Sequence, residues 1–389
     1  MDLAFSAADD QFRDEVRTWL AEHAPTERRP HDLLEARQYD LAWQRQQYEA
    51  GWAGIGWPEA FGGRELPLAR QLIWYEQYAR TGLAPIDSRF VGLSHAGPTL
   101  IARGDDAQRA DHLLPILRGD VVWCQGFSEP QAGSDLASLS ARAIVDGDHL
   151  VVTGQKIWTS FAPVADFQEL LVRTNPDVPK HKGITWVICD MHSPGIDVRP
   201  IRTLDNGHDF AEVFYDEVRI PIANVVGEID NGWSVAMSTL SFERGTAFTI
   251  SQVQLSSNVE RLIDLARSRT SINGRPVIAD ESIAQRLARA RAEVAALRAL
   301  TYLNISRNAR SPQPGPAGSM LKVEDARLNQ EVYRLAMDIL GLRSLELVDD
   351  EDETYWIERH MLAFAASIGG GTSEIQKNII AERMLGLPR

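Results

Sequence analysis

Two short stretches of this 389-residue chain carry side chains whose types and spacing suit ligand chemistry. The first is GFSEPQAGSDLA, from Gly126 to Ala137. Ser128 and Ser134 offer hydroxyls that both donate and accept, and Gly133 leaves the backbone bare enough for a ligand to approach closely. The second is GQKIWTS, from Gly154 to Ser160, which sets Trp158 beside Thr159 and Ser160 at a strand end. A tryptophan face can cover a flat ring such as a flavin, and a neighbouring hydroxyl can meet the ring's polar edge. Each stretch alone has an ordinary structural reading, as a turn in the first case and a domain-boundary core tryptophan in the second.

The elements that must position these groups fall into three consecutive segments. Residues 1–121 read as a helical domain: Ser6 with Asp9 forms a capping-box pattern, and Phe12, Val16, Trp19 and Leu20 then recur at helical spacing. Helical patterns recur at Gln71–Arg80 and Asp106–Leu117, and the Gly/Trp-rich run Gly51–Gly63 between them reads as a packed structural loop. Residues 122–231 change texture to a small β domain, a barrel or sandwich. Ala141–Val145 and His149–Thr153 flank an Asp146-Gly147 hairpin signal, and Leu170–Arg173, Ile184–Asp190 and Glu212–Val218 are further strands. Residues 232–389 return to helix, with long proline-free runs at Gln252–Ser268, Ser282–Ala309, Met320–Leu340 and Ser373–Leu385, and SPQPGPAGS (Ser311–Ser319) interrupting them. The expected fold is therefore α+β: helical domain, small β domain, four-helix bundle.

Composition narrows the function further. A net charge of −14 argues against a nucleic-acid partner, because phosphate backbones attract basic surfaces, but helix N-termini and a few arginines can still hold a small phosphorylated ligand. No apolar run spans a bilayer and the first residues lack a signal pattern, so no membrane partner and a cytoplasmic location are the expectation. Cys124 and Cys189 are too few for a disulfide framework or a zinc site, and Cys124 reads as a small buried hydrophobe.

Taken together, Ser128-Glu-Pro-Gln-Ala-Gly-Ser-Asp135, Gly154-Gln-Lys-Ile-Trp-Thr-Ser160 and the C-terminal GGTSEIQKNIIAERMLGLPR (Gly370–Arg389) resemble the acyl-CoA dehydrogenase family over essentially the whole chain. The resemblance implies FAD as cofactor, contacted by Phe127, Ser128, Gly133, Trp158, Ser160, Thr372 and Glu374, with Ser134 facing the coenzyme A side of an acyl-CoA substrate. It implies removal of an α-proton and a β-hydride from the thioester, reoxidation by an electron-transfer flavoprotein, and assembly as a homotetramer or as a heterotetramer with a related subunit. The α-proton of a thioester is weakly acidic, so such a site needs a carboxylate base and stabilisation of the developing enolate.

Three departures from the family pattern shape the expectation. Many relatives carry the base just before the C-terminal Gly-Thr, where this chain has Gly370. Others carry it on an earlier helix, at the position matching Glu243 in LSFERG, which makes Glu243 the expected base and Arg244 a substrate-binding or charge-ordering neighbour. The Gly370 backbone N–H can still polarise the thioester carbonyl. Gly369 and Gly370 also free volume, and Trp-Cys-Gln-Gly before Ser-Glu-Pro resembles bacterial members acting on steroid-derived CoA esters, so a bulky or branched acyl group is expected. Close helix packing is the competing reason for the glycines. Finally, Thr270 stands where an adenosine-contacting arginine belongs, and the later stretch Asp338-Ile-Leu-Gly341-Leu342 lacks the usual glutamine. That leaves a non-catalytic or half-site subunit open as an alternative, alongside an oxidase or flavin monooxygenase of the same fold.

Overall fold

The computed structural model describes residues 5–83, 87–243, 247–308, 316–346 and 351–388, with the backbone alone at 242, 243, 247–249, 308 and 351–353. Helix α1 (Ala7–His23) opens on the expected capping box. The Asp9 N–H donates to Ser6 Oγ at 3.2 Å, and the Ser6 N–H donates to Asp9 Oδ2 at 3.1 Å. Its apolar stripe, Phe12, Val16 and Leu20, is buried. Helix α2 (Leu33–Glu49) begins behind Asp32, whose carboxylate accepts from the N–H groups of Leu34 and Glu35. Helices α3 (Leu68–Arg80), α4 (Gly97–Arg103) and α5 (Asp106–Arg118) follow.

Seven strands then form one curled sheet: β1 (Trp123–Gly126), β2 (Arg142–Asp146), β3 (His149–Ser160), β4 (Phe167–Arg173), β5 (Ile184–Asp190), β6 (Ile196–Ile201) and β7 (Phe210–Pro221). The order is β1-β4-β2-β3-β7-β6, with β5 pairing to β4. The β2–β3 hairpin closes at Asp146↔His149, and Gly147 takes the left-handed φ of +62° that a tight hairpin demands. Helices α6 (Gly232–Glu243), α7 (Ala247–Ser268), α8 (Glu281–Asn308), α9 (Gly318–Leu340), α10 (Glu351–Ala363) and α11 (Ser373–Arg383) complete the chain.

Contacts group these elements into two compact units. One comprises residues 1–23, 67–85 and 244–389; α1 packs on α3, and α3 packs on the C-terminal helices α7 and α8. Leu262, Val294, Leu328, Val332 and Trp356 lie at its core. The α3 carboxylate of Glu76, almost fully buried, pairs with Arg298 of α8 at 2.6 Å. The other unit comprises residues 24–66 and 86–243. It has one core where helices meet the sheet (Trp57, Leu100, Leu117, Trp123, Trp186) and a second inside the curl (Leu150, Leu170, Val187, Val213). The Gly51–Gly63 run is the packed loop its composition suggests: Trp52 and Trp57 are buried, and the Trp57 indole N–H donates to Leu93 O at 3.1 Å.

Both cysteines are buried and unbridged. Among the described residues no helix is long and apolar enough to cross a membrane, and no group of three or more His, Cys, Asp or Glu residues could hold a metal ion.

Candidate functional site

The two motifs, separated in sequence by residues 138–153, meet in the sheet-bearing unit, and a buried ion pair joins them. Strand β3 alternates inward and outward, and its inward row includes Lys156, which has no solvent exposure. A buried ammonium demands an anion. Glu129, two residues beyond Phe127, supplies it: Lys156 Nζ donates to Glu129 Oε1 at 2.8 Å and to the Phe127 carbonyl at 3.0 Å. The other lone pairs of Glu129 accept from the N–H groups of Ser140 (2.7 Å) and Ala141 (2.9 Å). Burial alone would raise this carboxyl, but the Lys156 ammonium and the two backbone donors outweigh it and hold it below its usual value. Burial pulls the Lys156 ammonium down, against the opposing pull of Glu129.

The ion pair fixes the backbone on both sides. The Ile157 N–H donates to the Ser128 carbonyl at 3.0 Å, so residues 127–129 and 156–157 are tied by three bonds within five residues. Phe127 is buried and Ser128 half-buried, whereas Gly133 and Ser134 are exposed. A Cβ built on Gly133 would meet nothing within 4 Å, so its backbone stands open to a ligand. Behind this loop the Arg173 guanidinium donates to the carbonyls of Ala137 (2.6 Å) and Lys182 (2.8 Å), which anchors the turn that presents Ser134.

Beyond Lys156 the register of β3 against β7 shifts, and Trp158 sits in that irregularity at φ +59°. A left-handed conformation is unfavourable for a bulky aromatic residue, and strain of this kind concentrates at functional positions. Its indole is 57% exposed, although it stands beside fully buried Thr159 and edge-on to Phe210 with ring centroids 6.2 Å apart. Ser160 is half-buried at the end of β3.

The C-terminal members of the expected set lie in the helical unit. Thr372 is the N-cap of α11, its hydroxyl accepting from the Ile375 N–H at 3.3 Å, and Glu374 is exposed in the helix's first turn. Gly370 and Gly371 have φ of +65° and +84°. The Gln376 side chain donates back to the Gly370 carbonyl at 2.9 Å, holding the glycine loop against its helix. The backbone of Glu243 ends α6, but its side chain lies outside the described residues, and so does Arg244 altogether.

Thus the structure brings Phe127, Ser128, Gly133, Ser134, Trp158 and Ser160 together in one unit and Gly370, Thr372 and Glu374 together in the other. Glu129 and Lys156 lie within the two motifs, but the sequence alone assigns them no role. The available signal was a lysine on the inward row of an alternating strand, which only a buried acid could accommodate.

Comparison with known proteins agrees with this architecture. Family models for the N-terminal, middle and C-terminal domains of acyl-CoA dehydrogenase match residues 6–120, 124–218 and 230–385. The chain belongs to the acyl-CoA dehydrogenases, a family of FAD-dependent oxidoreductases with helical N- and C-terminal domains around a curled middle sheet. Among its relatives is acyl-CoA dehydrogenase IpdE1 of Mycobacterium tuberculosis, 37% identical over 98% of both chains. FadE26 of the same organism is 32% identical over 100% of this chain and 99% of its own. Two solved structures align over the full length of both chains. The Tcur3481-Tcur3483 steroid acyl-CoA dehydrogenase has a TM-score of 0.87 at 30% identity, and the ChsE4-ChsE5 complex from Mycobacterium tuberculosis has 0.84 at 31%.

Proposed function

We propose that this chain is a catalytic subunit that oxidises a bulky acyl-CoA, steroid-derived or branched, to its α,β-unsaturated thioester, with FAD as its cofactor. The observation that supports this most directly is the Lys156–Glu129 clamp, which holds two peptides in register and leaves an exposed, strained Trp158 indole beside them. The residues fit the cofactor: a free aromatic face, half-buried hydroxyls at Ser128 and Ser160, and a bare backbone at Gly133. Bound FAD supplies the hydride acceptor.

The chain's own residues do the rest. The Glu243 carboxylate takes the α-proton onto an oxygen atom, with Arg244 ordering charge next to it. The Gly370 N–H donates to the thioester carbonyl and stabilises the enolate as it develops. Trp158 covers the cofactor ring, Ser128 and Ser160 hydrogen-bond its polar edge, and Phe127 packs behind the Ser128 peptide. The N-terminus of α11, opened by Thr372 with Glu374 in its first turn, holds a further polar part of the cofactor. Ser134 meets the coenzyme A portion. The domain limits near residues 121 and 231, a cytoplasmic setting and an electron-transfer flavoprotein as acceptor are part of the same reading.

Glu243→Gln is expected to keep its flavin absorbance and lose turnover by about two to four orders of magnitude, the usual scale for removing a general base. Steady-state assay of the flavin-loaded variant checks this, and near-normal activity would take Glu243 out of the mechanism.

One observation favours a second reading, a half-site subunit completed by an unlike partner. Thr270 replaces the expected arginine, and Asp338, in the stretch lacking the expected glutamine, is engaged by Arg286 at 2.7 Å. The chain purified alone would then be colourless and gain flavin on mixing with its partner. Peroxide formed stoichiometrically with product would instead indicate an oxidase.

A further inference from the structure

Lysine is scarce in this chain. Of its 40 basic lysine and arginine residues only five are lysines: Lys156, Lys180, Lys182, Lys322 and Lys377. Two are taken up inside the protein, Lys156 by Glu129 and Lys322 by the Ala366 carbonyl at 2.7 Å. Two of the other three, Lys180 and Lys182, flank His181 on the loop between β4 and β5, and all three of these residues are exposed. That loop is sewn onto the turn that carries Ser134. The Arg173 guanidinium, in a residue only 9% exposed, donates to the carbonyls of Lys180 (3.1 Å) and Lys182 (2.8 Å) on one side and of Ala137 (2.6 Å) on the other. The Lys180 ammonium crosses the same seam to Asp135, the neighbour of Ser134, at 2.7 and 2.8 Å. His181 lies edge-on to Trp233 in the first turn of α6, with ring centroids 5.0 Å apart. Among the described residues the Lys182 ammonium has no hydrogen-bond or ion-pair partner.

The chain builds its surface ion pairs from arginine, as in Arg37 with Asp166 and Arg219 with Asp146, so these two lysines depart from its own habit. Arginine matches a planar carboxylate with a fork of donors, whereas lysine binds phosphate as a compact point charge. A polyanion approaching a chain of net charge −14 is repelled overall, and only a local group of cations can hold it. The pair with Asp135 does not use up Lys180. Its side chains are 49% and 57% exposed, so it opens at small cost, and the ammonium has a third donor to give. Asp135 and Asp177, exposed beside the lysines, oppose any anion there. A singly charged group therefore gains little, while a phosphate monoester, with about two negative charges near pH 7, outcompetes Asp135.

We propose that Lys180 and Lys182 form the subsite for the 3′-phosphate of coenzyme A, at the solvent edge of the turn in which Ser134 meets the rest of that group. This deepens the acyl-CoA reading and rests on it. The 3′-phosphate is the monoester of the molecule and sits at the nucleotide end, away from the thioester, as an exposed loop requires. Solvated charge with no ligand is the competing role of the two lysines.

The test uses the flavin-loaded protein and two probes, coenzyme A and 3′-dephospho-coenzyme A. Both are titrated by calorimetry at low ionic strength, where exposed charges are least screened. The wild type should bind coenzyme A about tenfold tighter than the dephospho form, the scale of a charge-assisted hydrogen bond. The double variant Lys180→Gln/Lys182→Gln should bind coenzyme A no better than the dephospho form, whose own affinity should stay within about threefold. Both residues are exposed, so the variant should keep the wild-type thermal unfolding midpoint. Equal binding of the two probes by the wild type overturns the proposal, as does a preference that survives in the double variant; the acyl-CoA reading stands in either case. A loss that is the same for both probes puts the diphosphate on the lysines and overturns the assignment to the 3′-phosphate. If neither probe binds the wild type, the acyl-CoA reading falls and this inference with it.

Discussion

The two groups of candidate residues, one in each unit, are built on opposite principles. The sheet part is held by long-range bonds: Lys156 on β3 reaches back to Phe127 and Glu129, and Glu129 reaches forward to Ser140 and Ala141, so that four separate positions of the chain are locked around one buried charge pair. The helix part is held locally. Gly370 to Gln376 satisfy one another through a threonine cap, two left-handed glycines and one glutamine, all within seven residues. A part built across the fold is rigid but fails as a unit; a part built within one loop can be altered piecemeal. The contrast suggests that variation in specificity within such a protein is easier in the glycine loop than beside Trp158.

The largest effect should therefore come from the sheet. Lys156→Met removes one partner of a fully buried pair and leaves Glu129 charged in the core, which destabilises by about 3–5 kcal/mol. The double variant Glu129→Leu/Lys156→Met should recover much of that loss, and urea denaturation of the two variants measures the difference. The pair also leaves a signature in pH. The folded Glu129 carboxyl lies below its unfolded value of 4.5, so its contribution is complete above that pH and is lost as pH falls through the folded value. Wild-type stability should thus drop more steeply below pH 4.5 than that of the double variant. Parallel acid profiles for the two would remove Glu129 from the account.

How far the sequence could be read follows the same division. Local signals were legible: the Ser6–Asp9 box, the Asp146-Gly147 hairpin and the long runs of α7, α8 and α9 all form, with their limits moved by a few residues. Strand β1 was not legible, because Trp-Cys-Gln-Gly is buried on nearly every residue and has no alternation to read. Strand β6 was obscured by Pro200, and α2 and α10 by polar faces that break the apolar period. The packing of α3 with α7 and α8, more than 150 residues later, is a tertiary fact that no local pattern encodes. At the site the motifs themselves stood out, but the clamp between them did not, since the roles of Glu129 and Lys156 exist only once β3 has placed one opposite the other.

Smaller effects should appear in the glycine loop, and should stay there. Gly371→Ala puts a side chain at φ +84°, with its Cβ 2.8 Å from Gln376 Nε2. Because that atom is the far end of a flexible side chain, the clash can be relieved by giving up the Gln376 bond to Gly370. The remaining cost is backbone strain of about 1–2 kcal/mol. Hydrogen exchange should quicken in α11 while strand amides of β3 and β7 are unchanged; faster exchange in the strands would mean that the two parts are coupled after all.

The smallest effect separates capping from cofactor contact at Thr372. Replacing it with alanine deletes the acceptor for the Ile375 N–H at the start of α11, which costs about 0.5–1 kcal/mol. Serine keeps the acceptor and removes only a methyl group. If Thr372 acts solely as a helix cap, Thr372→Ser should match the wild type in both stability and flavin retention, and Thr372→Ala should lose a little of the first and none of the second. The proposed cofactor contact requires a different pattern, in which Thr372→Ala sheds flavin on dilution by more than its stability loss explains. Measuring flavin release and thermal unfolding on the same three proteins decides between them. A drop in flavin affinity confined to the alanine variant would mark the hydroxyl as a ligand as well as a cap.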